Sequence, residues 1–145
     1  GRSMMWDIGV ELATRYPLGV GLRNSRFLQT FSAEIPPELN HFHNNFINIA
    51  VEGGWLALMM FGWWILNILR FAFSEQQFGK WAPLACAIGC AVVSWQVAGL
   101  VEYNWGNSKV RLLVFLVLGS LLGIKAQQDS ALSSKERLSS ENAAT

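Results

Sequence analysis

The chain is short of charge. Only 14% of its 145 residues are Asp, Glu, Lys or Arg, and eleven basic against ten acidic side chains leave a formal net charge of +1. That balance offers no basic patch, so a nucleic-acid partner is not expected. Cysteine is scarce too. Cys86 and Cys90 stand four residues apart inside an apolar run, which excludes a disulfide scaffold and suggests small buried thiols. The sequence has no Walker loop, no dinucleotide fingerprint and no acidic metal-binding cluster, so no cofactor and no metal are expected. It opens Gly1-Arg2-Ser3 without Met and without a charged leader ahead of an apolar stretch, and is therefore read as a piece of a longer protein with no signal peptide.

Apolar residues are what the chain has in abundance. They make up 52% of it, with seven Trp and nine Phe, a composition that rules out a disordered chain and fits a soluble domain poorly. The first run, Phe46 to Phe73, is broken by few polar residues, among them Asn48, Glu52 and Asn67. Trp81 to Val101 is the second, with Trp81 and the pair Tyr103/Trp105 at its ends as interfacial aromatics would be. The third, Val110 to Ile124, is apolar apart from Arg111 and Ser120. A bilayer core takes about 20 residues of helix and at least about 17, so this last run needs Lys109 and Arg111 to snorkel. None of the three shows the polar stripe of a soluble helix. The expectation is an all-α membrane protein: a helical segment outside the membrane over 1–45, a three-span bundle over 46–124 (46–73, 81–101 and 110–124), and a solvated, disordered tail over 125–145. Lys and Arg counts of six and five on the two sides barely choose an orientation.

Within 1–45, Met5, Ile8, Leu12 and Tyr16 recur at helical spacing, which predicts a short amphipathic helix stopped before Pro17, its apolar face suited to a membrane surface. Pro17-Leu18-Gly19-Val20-Gly21 then reads as a turn whose glycines permit positive φ.

Polar chemistry concentrates at His41-Phe42-His43-Asn44-Asn45, where the first segment meets the first span. Asn44, Asn48 and Glu52 follow at i, i+4 and i+8 and form one stripe. A carboxylate in an apolar run is a functional candidate by default; the alternative is that Glu52 lies at headgroup depth and meets water. His41 and His43 at i, i+2 have no third ligand nearby in sequence, which argues against metal binding. A single imidazole here could serve as a base, or simply belong to a helix cap. Arg2, Arg15, Arg23 and Arg26 suit an anionic ligand because guanidinium forks bind phosphate bidentately, and either a diphosphate lipid or phospholipid headgroups in general would satisfy them.

Three motifs carry a resemblance. Gly1-Arg2-Ser3-Met4-Met5-Trp6, then Tyr16-Pro17-Leu18-Gly19-Val20-Gly21, then His43-Asn44 leading into Asn48, Glu52, Gly53-Gly54-Trp55-Leu56-Ala57 are together similar to the C-terminal portion of the O-antigen ligase and polymerase superfamily, over Gly1 to Leu58. Ala57 stands where that family usually has its final Gly. The resemblance implies a bacterial inner-membrane glycosyltransferase that takes a glycan from undecaprenyl diphosphate. A ligase passes it to the lipid A core, while related enzymes extend the polymer or glycosylate protein. It also implies that 1–45 is periplasmic and 125–145 cytoplasmic, with Arg2 and His43 matching the motif Arg and His. Arg23, Arg26, Asn44 and Glu52 are nominated as substrate-binding by position. A reading of another class is a non-enzymatic membrane protein that binds an anionic lipid.

The Arg2 reading can be checked directly. Lys keeps the charge but not the bidentate fork, so Arg2→Lys is expected to lower donor affinity roughly ten- to a hundredfold, the worth of a lost charge-assisted contact. Full activity in the Lys variant would reduce Arg2 to a headgroup or structural contact.

Overall fold

A computed structural model describes residues 2–22, 30, 35 and 41–144. Among the described residues the chain is helical with no strands: α1 (Arg2–Arg15), α2 (Asn45–Ala72), α3 (Glu75–Phe78), a 3-10 turn (Gly79–Trp81), α4 (Ala82–Gly99) and α5 (Ser108–Ala144). Three helical stretches are long and apolar enough to cross a membrane: Asn45–Ala72, Gly79–Gly99 and Ser108–Asn142. The protein is an all-α membrane protein.

The amphipathic pattern in the first segment forms α1, with Met5, Ile8 and Leu12 buried. Its apolar face does not lie free for a membrane surface. It packs with Phe42, Ala50 and Val51, which are buried against it. Gly9 is where the two helices touch, since a Cβ there would sit 2.3 Å from Ile47 Cγ2. Pro17 and Leu18 in turn meet Gly54. The contacts Gly9 to Ile47 and Pro17 to Gly54 advance together, so α1 runs alongside the first half of α2 in the same direction.

At Gly54 the second helix breaks. This glycine has φ 77° and ψ −179°, a region that side-chain-bearing residues essentially do not enter. The break diverts three backbone groups, and the Pro17–Gly21 turn takes them all. Val20 N–H donates to Val51 O at 2.8 Å, Gly21 N–H to Glu52 O at 3.0 Å, and Trp55 N–H to Pro17 O at 3.0 Å. Such non-helical backbone is tolerated near a bilayer only when protein satisfies it. Two glycines permit the approach: a Cβ on Gly19 would lie 2.4 Å from Glu52 O, and one on Gly54 would lie 2.3 Å from Pro17 O. The Pro-Leu-x-Gly-x-Gly turn and the Gly-Gly of the helix motif are therefore two halves of one joint.

Beyond the break, Trp55 to Ala72 is the part of α2 matched to a hydrocarbon core, since 18 residues at ~1.5 Å each give about 27 Å. It packs on α4 through Phe61, Ile65 and Val92. At the opposite end Ala72, Phe78, Ala85, Ile88 and Leu121 form a second cluster. Large side chains such as Leu56, Met59, Met60 and Trp63 on α2 and Leu112, Leu113 and Phe115 on α5 stay exposed, as membrane-facing helices require.

Two expectations need correction. Residues 125–144 are not a disordered tail but continue α5, because Ala, Gln, Lys, Glu, Leu and Arg are strong helix formers and Lys125 pairs with Asp129 one turn on. The same continuation gives the short third run its length. Trp105 also differs from an interfacial anchor: its ring packs inward against Trp95, Phe61, Trp64 and Phe115, with centroids 5.3–6.2 Å apart.

Gly54→Ala should lower stability by about 2 kcal/mol or more, since it adds backbone strain of roughly 1–3 kcal/mol to disrupted hydrogen bonds. Gly62→Ala, on the same helix with open space around it, is the control and should be neutral or slightly stabilising. Thermal unfolding in detergent would measure both. Equal effects would mean that the joint is not what holds α1 to α2.

Candidate functional site

The site is assembled at the entrance of α2. Asn44 is the N-cap: its Oδ1 accepts from Phe46 N–H at 2.8 Å and Ile47 N–H at 3.0 Å. Its Nδ2 donates to Leu100 O at 2.9 Å. Both ends of this amide thus have partners within the protein. Asn48 reaches back, Nδ2 donating to Asn44 O at 2.8 Å. Its Oδ1 accepts from Phe42 N–H at 3.4 Å. Asn44, Asn48 and Glu52 are all buried, so the stripe faces protein rather than lipid.

Asn45, for which no role was expected, makes the longest reach. Its Nδ2 donates to Asn104 Oδ1 at 2.7 Å and its Oδ1 accepts from Trp105 N–H at 3.0 Å. Trp95 Nε1–H donates to the same Asn104 oxygen at 2.8 Å. Gly99 clears the path, because a Cβ there would lie 2.3 Å from Asn45 Nδ2. This amide network docks the α4–α5 connection onto the start of α2.

Docking brings Glu102 to the histidines. His43 Nδ1–H donates to the Glu102 carboxylate, 3.1 Å from Oε1 and 3.3 Å from Oε2. An ionised carboxylate only accepts, so Nδ1 carries a proton in this contact, and in the corresponding neutral tautomer the lone pair is on Nε2. His41 Nε2 stands farther from the same Oε1, at 3.6 Å, with the two imidazole centroids 4.3 Å apart. His43 is also the one non-glycine residue with positive φ among the described residues, at 49°. Backbone held in that region just before a helix is a cost that the surrounding contacts must offset.

The electrostatics separate the groups. For Glu102, burial pushes the carboxyl upward, but the Tyr103 N–H, the His43 hydrogen bond and the charges of His43 and His41 together outweigh it and hold the pKa below its ordinary value. Glu102 is therefore ionised at neutral pH. Burial, followed by the neighbouring His43 charge, holds the His41 pKa below the usual imidazole value against the pull of Glu102. Burial, then the Glu52 charge, raises the Tyr103 hydroxyl, with Arg111 opposing. Glu52 thus acts on the same connection from inside the bundle.

Of the residues expected to act, His43, Asn44 and Glu52 come together at this end. Arg2 begins α1, whose first turn points toward the same end, and its side chain lies outside the described part. Arg23 and Arg26 also lie outside the described residues. Glu102 was missed, being a lone acid in a connection some 60 residues from His43, where no spacing rule links them. It also revises the argument against a metal. His41, His43 and Glu102 place one ligand atom each within 4.8 Å of one another, so a third donor exists that the sequence did not reveal.

Comparison with known proteins bears on the first part of the chain. Searches among curated proteins and among solved structures returned no match. A family model described as O-antigen ligase matches residues 1–62, a stretch that contains α1, the turn, His43 and the joint at Gly54. Over that segment the chain is similar to the O-antigen ligase family, and three of its helices are long and apolar enough to cross a membrane.

Proposed function

We propose that the protein moves a glycan from undecaprenyl diphosphate to the lipid A core at the periplasmic face of a bacterial inner membrane, with His43 as the base. The single observation that carries this reading is the orientation of His43, whose Nδ1–H is engaged by Glu102 while Nε2 keeps its lone pair. In the transfer, Nε2 takes the proton of the acceptor hydroxyl as that oxygen bonds to the anomeric carbon. The bond from that carbon to the diphosphate oxygen breaks, and undecaprenyl diphosphate leaves with the electron pair. Arg2, Arg23 and Arg26 are proposed to hold the diphosphate and stabilise the charge that develops on it. Glu52, a buried carboxylate in an apolar run and felt by Tyr103, is proposed to line the substrate side. Asn44, with its amide spent on the cap and on Leu100, is left out of the substrate contacts.

The base reading has a quantitative test. His43→Ala should lower turnover by about 10²–10⁴-fold at matched expression, with insertion intact. Asn44 and not His43 is the helix cap, so loss of a cap, worth about 1 kcal/mol, cannot be offered as the reason for such a drop. His41→Ala is expected to cost far less. Equal, small effects from both would end the reading. In cells, loss of the protein should leave the lipid A core without glycan; a single repeat attached would indicate a polymerase instead, and unchanged surface glycan would favour a non-enzymatic lipid binder.

Orientation is tested separately. In a background with Cys86 and Cys90 replaced, a cysteine at Asn107 should react with an impermeant reagent from the periplasm and one at Ser134 only after the cytoplasm is opened. Inverted labelling would put His43 on the wrong face for this chemistry.

A further inference from the structure

The segment that matches the family ends at residue 62, yet the site does not. Its carboxylate, Glu102, comes from the α4–α5 connection, forty residues farther along, and is placed there by an amide network rather than by chance. Asn44 Nδ2 holds Leu100 O at 2.9 Å and Asn45 holds Asn104 and Trp105, so both flanks of Glu102 are tied to the start of the helix that follows His43. Glu102 Oε1 also accepts from Tyr103 N–H at 3.1 Å, which fixes the side chain against its own backbone.

From this placement we infer that Glu102 is the positioning residue of the transfer reaction: it selects the Nδ1–H tautomer of His43, and thereby makes Nε2 the atom that takes the acceptor proton. The inference rests on the proposed role of His43 and adds the group that makes that role possible. An imidazole without a partner exchanges tautomers and turns about two side-chain bonds, so only a fraction of its time is spent with a lone pair facing a substrate. A carboxylate on one nitrogen removes that freedom and stabilises the imidazolium that forms as the proton arrives.

The titratable groups around His43 leave Glu102 as the only carboxylate in contact with it among the described residues. His41 is on the same segment, with its ring centroid 4.3 Å away, and Tyr103 lies beyond it, 5.8 Å from the His41 ring. Glu52 and Arg111 act on Tyr103. His41 competes for the same carboxylate oxygen, but at 3.6 Å against 3.1 Å it is the weaker claimant.

The test uses the intact protein carrying this sequence, purified in detergent, with undecaprenyl diphosphate-linked glycan and lipid A core. Glu102→Ala should lower kcat roughly 10- to 1,000-fold, a part of the 10²–10⁴ that a general base contributes, with KM changed less than about threefold. Nitrogen-15 NMR of labelled histidine should show His43 passing from the Nδ1–H to the Nε2–H tautomer, a signature that a merely structural role would not move. Glu102→Gln keeps one oxygen, which can accept from Nδ1–H and from Tyr103 N–H as Oε1 of Glu102 does, so it should recover part of the lost kcat and guards against a folding defect in the Ala variant. Full kcat in both Glu102 variants, while His43→Ala stays inactive, would overturn this inference and leave the base reading standing. Full activity in His43→Gln would overturn the base reading itself. Activity lost in EDTA and restored by Zn²⁺ would also overturn the inference, since Nδ1 would then be a metal ligand beside His41 and Glu102.

Discussion

Three backbone hydrogen bonds at the break in α2 set the position of α1 and the Pro17–Gly21 turn against the first half of that helix. Without them Val51 O, Glu52 O and Trp55 N–H would be backbone groups with neither a helical partner nor reliable access to water, each costing on the order of 1–3 kcal/mol. The Pro17–Gly21 turn supplies all three partners. In doing so it fixes α1 along the first half of α2, with Phe42 buried between them as part of the same core. A continuous helix would need no such turn, and α1 would then have only its apolar stripe to hold it.

From that joint the order passes outward through amides. Asn48 bonds to the Asn44 carbonyl, Asn44 caps the helix and holds Leu100, and Asn45 holds Asn104 and Trp105. Trp95 closes the network from α4. The Trp105 ring, drawn inward by its own backbone bond, then packs among Trp64, Trp95, Phe61 and Phe115, so polar and aromatic contacts hold the same connection in place. Glu102 sits between two anchored neighbours, which is why its distance to His43 is set by the fold rather than by a flexible loop.

The helices were legible from the sequence because hydrophobic runs and three- and four-residue spacing report directly on burial. Met5, Ile8 and Leu12 show this: their period marked a face, and the face is buried. What covers the face was not legible, since an apolar stripe fits a membrane surface as well as another helix. The motif glycines could be read as permissive, but not as partners, because the meeting of Gly19 with Glu52 and Gly54 joins residues about 30 positions apart. His43 and Glu52 stood out as polar groups in apolar surroundings. Glu102 did not, being one acid in a polar connection, and Asn45 was hidden because an amide beside a helix cap is ordinary in sequence. For 125–144 the polar composition suggested disorder, while strong helix propensity and continuity with an apolar span decided otherwise.

The scarcity of charge has a physical counterpart in the site. Ordering a connection against the end of a transmembrane helix requires polar groups to be buried, and each choice of group carries a different desolvation cost. Carboxylates and ammonium groups in such a place must be paired nearly perfectly, whereas an amide needs only its hydrogen bonds. Asn44, Asn45, Asn48 and Asn104 do the ordering with donors and acceptors on the same side chain, and therefore without adding charge. That leaves Glu102 as an ionised group facing outward, half exposed and, among the described residues, paired with His41 and His43, where its charge acts on the imidazole beside it. Had lysine or arginine built the same network, the nearest cation would have paired with Glu102. His43 Nδ1 would then have lost its acceptor, and with it the preference for one tautomer.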